Sequence, residues 1–496
     1  MSVERAAGAP PAVAAPALEQ SSLVGSVAYI GGINVVAFAG GLVRQKVFAV
    51  FLGPAGLGAF GLAASFLELL ATLARLGAPA GLLREMRQAL AQQEWSKAAR
   101  VFIDVRRVTL RRTVVLGVAT ALLAPVLIDH LLAGVVPRWS IALLALTAVL
   151  LLAGELCYAA MNAFGRVRTM AVANVTAVLL GLPVATWLVA SWGLSGALVQ
   201  LGTGALIAFV VSQRLLTSIF RPGEHHPDRI RTEDAARTVA RAVRIGMAQT
   251  LHHLAITANL LAFRSMIVAR LGTAASGLYQ GTMGLSRQYT IALSGGLFVY
   301  LYPRLGARAN DLDDFAQELA RGLGFALAVV VPAGVGLIAF RDWIVRIVFS
   351  HEFEPMIQLM GYSMLGDMAT IVGEVLKLAI LASGASRTYA ALGLVTEAVY
   401  LGAFWVGLHA FGLPGAVGAY LAASLLGVVI CGAALVRRGR LRLSARLTSQ
   451  LLLALPIAAV VTIAPWGGGT TRVVAIVLGA AWMAIWWREL RSGWQY

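Results

Sequence analysis

The residues best placed to do chemistry in this chain are ionisable groups set inside apolar runs. In the stretch 51–85, FLGPAGLGAFGLAASFLELLATLARLGAPAGLLRE, Ser65, Glu68, Thr72 and Arg75 recur at spacings of three, four and three, which is one face of a helix. Asp367, Thr370, Glu374 and Lys377 repeat that spacing later in the chain. Gln249, His253, Thr257 and Arg264 form a further stripe, Arg44 ends a helix with Asn34 deeper in it, and Glu155 precedes Asn162 by two turns. A charge in hydrocarbon is costly unless it pairs or faces water. Such stripes therefore hold helices together, bind a charged cargo, or carry an ion. A carboxyl group in a low-dielectric cavity can take up and release a proton during transport, and Glu155, Asp367 and Glu374 are placed for that.

These groups must sit on membrane helices. The 496 residues are 59% hydrophobic and 13% charged, with a mean hydropathy of +0.79. A soluble domain carries charge on about a quarter of its residues. Windows of roughly 20 apolar residues, the length a bilayer requires, fit the chain fourteen times, at about 22–48, 55–76, 113–135, 138–163, 169–191, 193–216, 243–269, 273–302, 322–349, 356–384, 387–411, 413–436, 446–465 and 471–488. The net charge of +17 comes from arginines gathered in alternate loops, among them Arg84 to Arg112, Arg214 to Arg244 and Arg437 to Arg446. That alternation places both termini in the cytoplasm and argues for a bilayer partner, with no nucleic acid. Cys157 and Cys431 fall inside apolar spans and read as buried thiols. Residues 1–21 lack an apolar core and read as a cytoplasmic tail, so the first span directs insertion.

The chain also repeats itself. An offset of 219 residues pairs Leu52-Gly53 with Leu271-Gly272, Gly58 with Gly277, Gly154-Glu155 with Gly373-Glu374, Gly165 with Gly384 and Gly193 with Gly412. With six spans per unit the repeat is parallel, which is a transporter arrangement with the substrate path between two bundles. The expected organisation is a six-helix lobe at 22–217, a linker with a short surface helix at 218–240, a second six-helix lobe at 241–436, and two further transmembrane helices with a cytoplasmic C-terminus at 437–496.

Within this frame the offset sets Arg287 opposite Glu68, either as an ion pair across the central cleft or as two separately solvated groups. Arg44 and Arg264 either line the cavity or snorkel, and Lys46 and Arg270 lie near the outer interface, where snorkelling competes. His252 and His253 read as a proton relay or as hydrogen-bond partners of a neighbouring helix. Glu374 and Lys377 are spaced to pair within their helix, and Asp342 and Arg346 read as a structural pair beside Trp343. Glu397 and His409 read as packing or interfacial groups. The His351–Glu354 run is too poor in ligands for a metal site. No Walker loop, His/Glu metal signature or nucleophile elbow occurs, so the chain is expected to be no enzyme.

Arg44–Leu62 (RQKVFAVFLGPAGLGAFGL), Arg341–Met356 (RDWIVRIVFSHEFEPM), Gly366-Asp367 and Leu381–Tyr389 (LASGASRTY) resemble the Wzx-type polysaccharide flippases of the multidrug/oligosaccharidyl-lipid/polysaccharide (MOP) exporter superfamily. The resemblance runs in pieces over residues 22–436. It implies an all-α polytopic protein, V-shaped, that moves an undecaprenyl-diphosphate-linked oligosaccharide from the cytoplasmic to the periplasmic leaflet of a bacterial inner membrane by ion-coupled alternating access. The chain departs from the family in Ser363-Met364-Leu365, where a tryptophan is common before the Gly-Asp pair, and in its two extra helices, which are similar to lipid II flippases. A lipid II-type flippase and a cationic-drug antiporter are the alternatives. Arginine suits a diphosphate because its planar fork donates in pairs. On that ground Arg44, Arg264, Arg287 and Arg270 are assigned to the pyrophosphate, and Glu68, Arg75, Glu155, Asp367, Glu374 and Lys377 to gating or ion coupling. No cofactor is expected beyond a coupling H+ or Na+. The expected form is a monomer working beside a polysaccharide polymerase and its chain-length machinery.

Overall fold

Every regular element that the sequence forms is helical, as its long apolar runs and rarity of alternating patterns require. A computed structural model describes residues 23–219, 232–442, 444–463 and 469–487. The tail at 1–21, the side chains of Asn34, Gln249 and Arg287, and the C-terminal residues 488–496 lie outside the described residues. In chain order the helices are α1 (Leu23–Arg75), α2 (Ala78–Ala91), α3 (Trp95–Leu122), α4 (Ala124–His130), α5 (Trp139–Ala163), α6 (Val167–Ile219), α7 (Thr232–Ala307), α8 (Leu312–Ala339), α9 (Arg341–Val348), α10 (Met356–Ala382), α11 (Ser386–Arg437), α12 (Ala445–Ile463) and α13 (Gly469–Ile485). Among the described residues six helices are long and apolar enough to cross a membrane, or seven when α3 and α4, bent by 68°, count as one.

Four helices are far too long for one crossing, and each breaks at a glycine. The non-helical residues are Gly53 in α1 (φ 61°), Gly193 in α6 (φ 53°), Gly272 in α7 (φ 85°) and Gly412 in α11 (φ 64°). Positive φ is costly for any residue with a Cβ, so glycine marks the point where one helix ends and its antiparallel partner begins. Gly53 and Gly272 stand 219 residues apart, as do Gly193 and Gly412, and Gly165 and Gly384 match at φ 70° and 80°. The repeat read from residue identities is thus also a repeat of backbone shape.

Two stretches differ from expectation. The third span, placed at 113–135, is instead the helix α3, which starts at Trp95 and carries Arg100, Arg106, Arg107, Arg111 and Arg112 along its cytoplasmic half. A hydropathy window rejects these arginines, but the fold keeps them helical by giving them apolar company. The Arg106 guanidinium lies 5.8 Å from the Phe102 ring and 5.9 Å from that of Phe209. The stretch 218–240, expected to hold a separate surface helix, contributes its end to α7, which runs without a break from Thr232.

The last two helices pack on α8, and Trp482 Nε1 donates to the Leu327 carbonyl at 3.2 Å. They also correct the Asp342–Arg346 pairing. Asp342 takes its hydrogen bond from Arg472 of α13 at 2.6 Å, while Arg346 faces Glu354 at 3.4 Å. The choice follows from burial. Arg472 stacks over Trp343 at 4.7 Å and both partners are largely covered, so the cross-helix pair meets a lower dielectric than an exposed i,i+4 pair would. Arg472→Ala strands Asp342 without its cation. It is expected to cost about 3 kcal/mol of stability, read as a lowered thermal midpoint of the full-length protein in detergent, and Arg472→Lys should restore part of it.

Candidate translocation site

The first half of the chain builds its charged cluster on α1 and α5. Arg75 ends α1, and its two faces reach two carboxylates: Nη1 lies 2.9 Å from Glu68 Oε1, one helical stripe away, and Nε lies 2.7 Å from Glu155 Oε2 on α5. The planar guanidinium makes this bridge possible, because its donors diverge in fixed directions. From the second half, His253 Nε2 on α7 comes within 3.7 Å of the same Glu68 oxygen. These four groups are part-exposed, Glu68 by 35%, Glu155 by 32%, Arg75 by 20% and His253 by 41%, so they face an open chamber between the halves. Glu68 therefore has its partners in Arg75 and His253. The Arg287 side chain proposed as its partner lies outside the described residues.

The matching cluster of the second half is built differently. Glu374 occupies the place of Glu155, but its cation is Lys377 of its own helix, Nζ to Oε1 3.0 Å. The residue matching Arg75 is Ser294, on the same cavity wall as Glu374. Behind Glu374 lies a cavity of about 470 Å³ lined by α7, α10 and α11. Its most buried charge is Asp367, 1% exposed, which accepts hydrogen bonds from the Ser286 hydroxyl and, at 2.8 Å, from the Tyr420 hydroxyl. Thr370 donates to Tyr420 and shares a contact with Ser424, each at 2.9 Å. Glu397, read from sequence as a packing group, lines this same cavity and takes the Asn259 amide on both its backbone carbonyl (2.9 Å) and its carboxylate (2.8 Å). Sequence reasoning missed Asn259, Ser286, Tyr420 and Glu397 as a group. The available signal was Asn259 and Glu397, two polar residues at mid-span, but nothing local shows that their helices are neighbours.

The four arginines assigned to a diphosphate are scattered. Arg44 is exposed on α1. Arg264 is 7% exposed and donates to the Gly61 carbonyl, the Ser65 hydroxyl and the Gln280 side-chain oxygen, so it lies in the seam between α1 and α7. Arg270 sits at the outer rim beside the Gly272 break and donates to the His409 carbonyl at 3.2 Å. His252 is buried edge-on to Tyr389, with ring centroids 5.8 Å apart.

Toward the Gly53 and Gly272 breaks the chamber closes. A Cβ built on Gly58 would stand 2.0 Å from the Thr273 carbonyl oxygen, and one on Gly277 would stand 1.8 Å from that of Pro54. Gly58 and Gly277 are 219 residues apart, and so are Pro54 and Thr273. The contact is reciprocal, each half giving the same glycine and the same carbonyl position, so the local two-fold axis passes through it.

A helical chain with paired breaks, a seam closed at one end and a charged chamber open at the other defines a multi-pass membrane protein with a transporter fold. Solved structures share that fold. One is the lipid II flippase MurJ in an inward closed conformation, with a TM-score of 0.71 at 13% identity over 93% of this chain and 99% of that one. A second is an inward-facing multidrug resistance MATE family transporter of the MOP superfamily, with a TM-score of 0.64 at 15% identity over 84% of this chain and 99% of that one. The profile of the polysaccharide biosynthesis protein family matches residues 47–358, and the chain belongs to that family. In sequence it is similar to the lipid III flippase of Escherichia coli strain K12, 24% identical over 414 residues that cover 83% of this chain and 97% of the relative.

Proposed function

We propose that this protein is a Wzx-type flippase that carries an undecaprenyl-diphosphate-linked oligosaccharide from the cytoplasmic to the periplasmic leaflet of a bacterial inner membrane. The observation that carries the reading is the chamber itself, sealed at the reciprocal Gly58–Gly277 contact and open at Glu68, Arg75, Glu155 and His253. Breaking α1, α6, α7 and α11 at their glycines supports fourteen crossings, arranged as two six-helix lobes with α12 and α13 appended. Alternate loops rich in arginine put both termini and the open end on the cytoplasmic side. Similarity to a lipid III flippase supports a lipid-linked cargo over a drug.

In this reading Arg44 and Arg287 receive the diphosphate, the polyprenyl chain stays in lipid, and the sugars occupy the wet chamber. Asp367, with its hydroxyl partners and the nearby Asn259–Glu397 pair, binds the coupling H+ or Na+. The protein acts as a monomeric transporter beside a polymerase and its chain-length machinery, and not as an enzyme. A lipid II-type cargo is the second reading, favoured by the match of nearly the whole chain to the MurJ fold.

The test is reconstitution of the full chain in liposomes with a fluorescent polyprenyl-diphosphate saccharide. Protein-dependent exchange of the label between leaflets, quicker under an ion gradient, is expected. Asp367→Asn should exchange the label without responding to the gradient. Absence of any exchange in well-folded native protein would sink the flippase reading, and equal exchange of a lipid II analogue would select the second cargo.

A further inference from the structure

The closed end of the chamber is held by two cations, each reaching across to backbone of the opposite half. Lys46 Nζ donates to the carbonyls of Arg346, at 3.3 Å, and of Phe349. Both belong to the end of α9, where unpaired helical carbonyls carry partial negative charge. Beside it the Ser350 hydroxyl donates to the Ala49 carbonyl at 3.4 Å. Deeper in, past the Gly58–Gly277 contact, Arg264 of the second half donates to Gly61 and Ser65 of the first. The residue matching Arg264 by the 219 offset is Gln45, which is uncharged, so only one half contributes a cation at this depth.

Arg264 lies eleven residues from His253 along α7, roughly 16 Å toward the closed end. That is about half the thickness of the hydrocarbon core. A headgroup entering the open chamber meets His253 and Arg75 long before it can meet Arg264, which is covered by helix in this state. The acceptors that Arg264 uses on the first half are a neutral carbonyl and a hydroxyl. Hydrogen bonds from a guanidinium to a phosphate are roughly twice as strong as those to neutral partners.

We propose that Arg264 is a latch that a diphosphate unlocks: it closes the outer seam by bonding helix α1, and its transfer to the phosphate oxygens of the cargo opens that seam, with Lys46 as the outer catch. Because phosphate reaches Arg264 only when the seam parts, it binds the open form better than the closed one, which is the differential affinity a ligand needs to move an equilibrium. The proposal rests on the flippase reading for the identity of the cargo and on the seam geometry for everything else.

The test uses the full chain in membrane vesicles, with Cys157 and Cys431 replaced by Ala and a reporter pair, Ala49→Cys with Ser350→Cys, joined by mild oxidation or a short thiol crosslinker. Farnesyl diphosphate serves as the probe, with farnesol and inorganic pyrophosphate as controls. The pair is expected to link readily without ligand, and farnesyl diphosphate should slow linking about tenfold, the shift that follows when charge-assisted bonds replace neutral ones. Lys46→Met should lower ligand-free linking about fivefold, as loss of its hydrogen bonds predicts, and should leave the ligand response intact. Arg264→Gln should lower linking and abolish the response, and Arg264→Lys, which keeps the charge, should restore part of both. An unchanged linking rate in the native protein with farnesyl diphosphate, or a full response in Arg264→Gln, overturns the latch. Ligand-sensitive linking in a protein that moves no lipid-linked saccharide between leaflets would keep the latch and remove the flippase reading.

Discussion

Alanine at Gly277 is expected to stop transport while leaving the protein folded, with alanine at Gly58 doing the same. Each new methyl group would sit within 2.0 Å of a carbonyl oxygen on the facing helix, Pro54 for Gly277 and Thr273 for Gly58. No real Cβ is found that close, and the obstacle is backbone, which has no rotamer to escape into. The helices must part by roughly 1 Å or more, and the cost falls on the closed state alone. A shift of about 2 kcal/mol moves the open–closed balance by about thirtyfold and leaves the cycle stranded on one side. The check is a set of alanine variants compared for thermal midpoint and for liposome exchange. Alanine at Gly336, whose Cβ would meet nothing within 4 Å, is the internal control and should exchange like the native chain. Equal exchange by the Gly277 and Gly336 variants would mean that this contact does not close during transport.

Replacing Arg75 should be the most damaging change in the open chamber. Arg75→Ala leaves Glu68 and Glu155 facing each other with no cation from α1 between them, and like charges at close range destabilise whatever holds them together. The variant is expected to lose exchange entirely and to unfold at a lower temperature. Lysine can reach one carboxylate but cannot span two helices with diverging donors, so Arg75→Lys should recover stability more than transport. The triple variant Arg75→Gln, Glu68→Gln, Glu155→Gln removes the charges together and should regain the native midpoint while remaining inactive. Native exchange in that triple variant would show the cluster to be structural filler.

How much of this was legible beforehand depends on the range of the interaction. Helical class and the repeat are local properties, carried by apolar runs and by Gly53, Gly193, Gly272 and Gly412, so the sequence displays them directly. The Lys377–Glu374 contact is also local, three residues apart on one helix. The start of α3 was missed because arginines that stack on Phe102 and Phe209 look like loop residues to any composition count. Asp342 was given the wrong partner, and Glu397 the wrong role, for one reason: which helix lies beside another is decided by packing of the whole chain. Arg264 shows the same limit. Its residue type marks it as an anion ligand, but only the closed seam shows that in this state its donors hold the opposite half.

The reciprocal contact at Gly58 and Gly277 has the form of a homodimer interface written into one polypeptide. A surface that meets its own copy doubles every change made to it, for better or worse, and cannot by itself tell one side from the other. The chain escapes that bind a turn deeper, where Gln45 and Arg264 no longer match. There a two-fold joint acquires a handedness, and one half becomes the part that senses charge while the other becomes the part it releases.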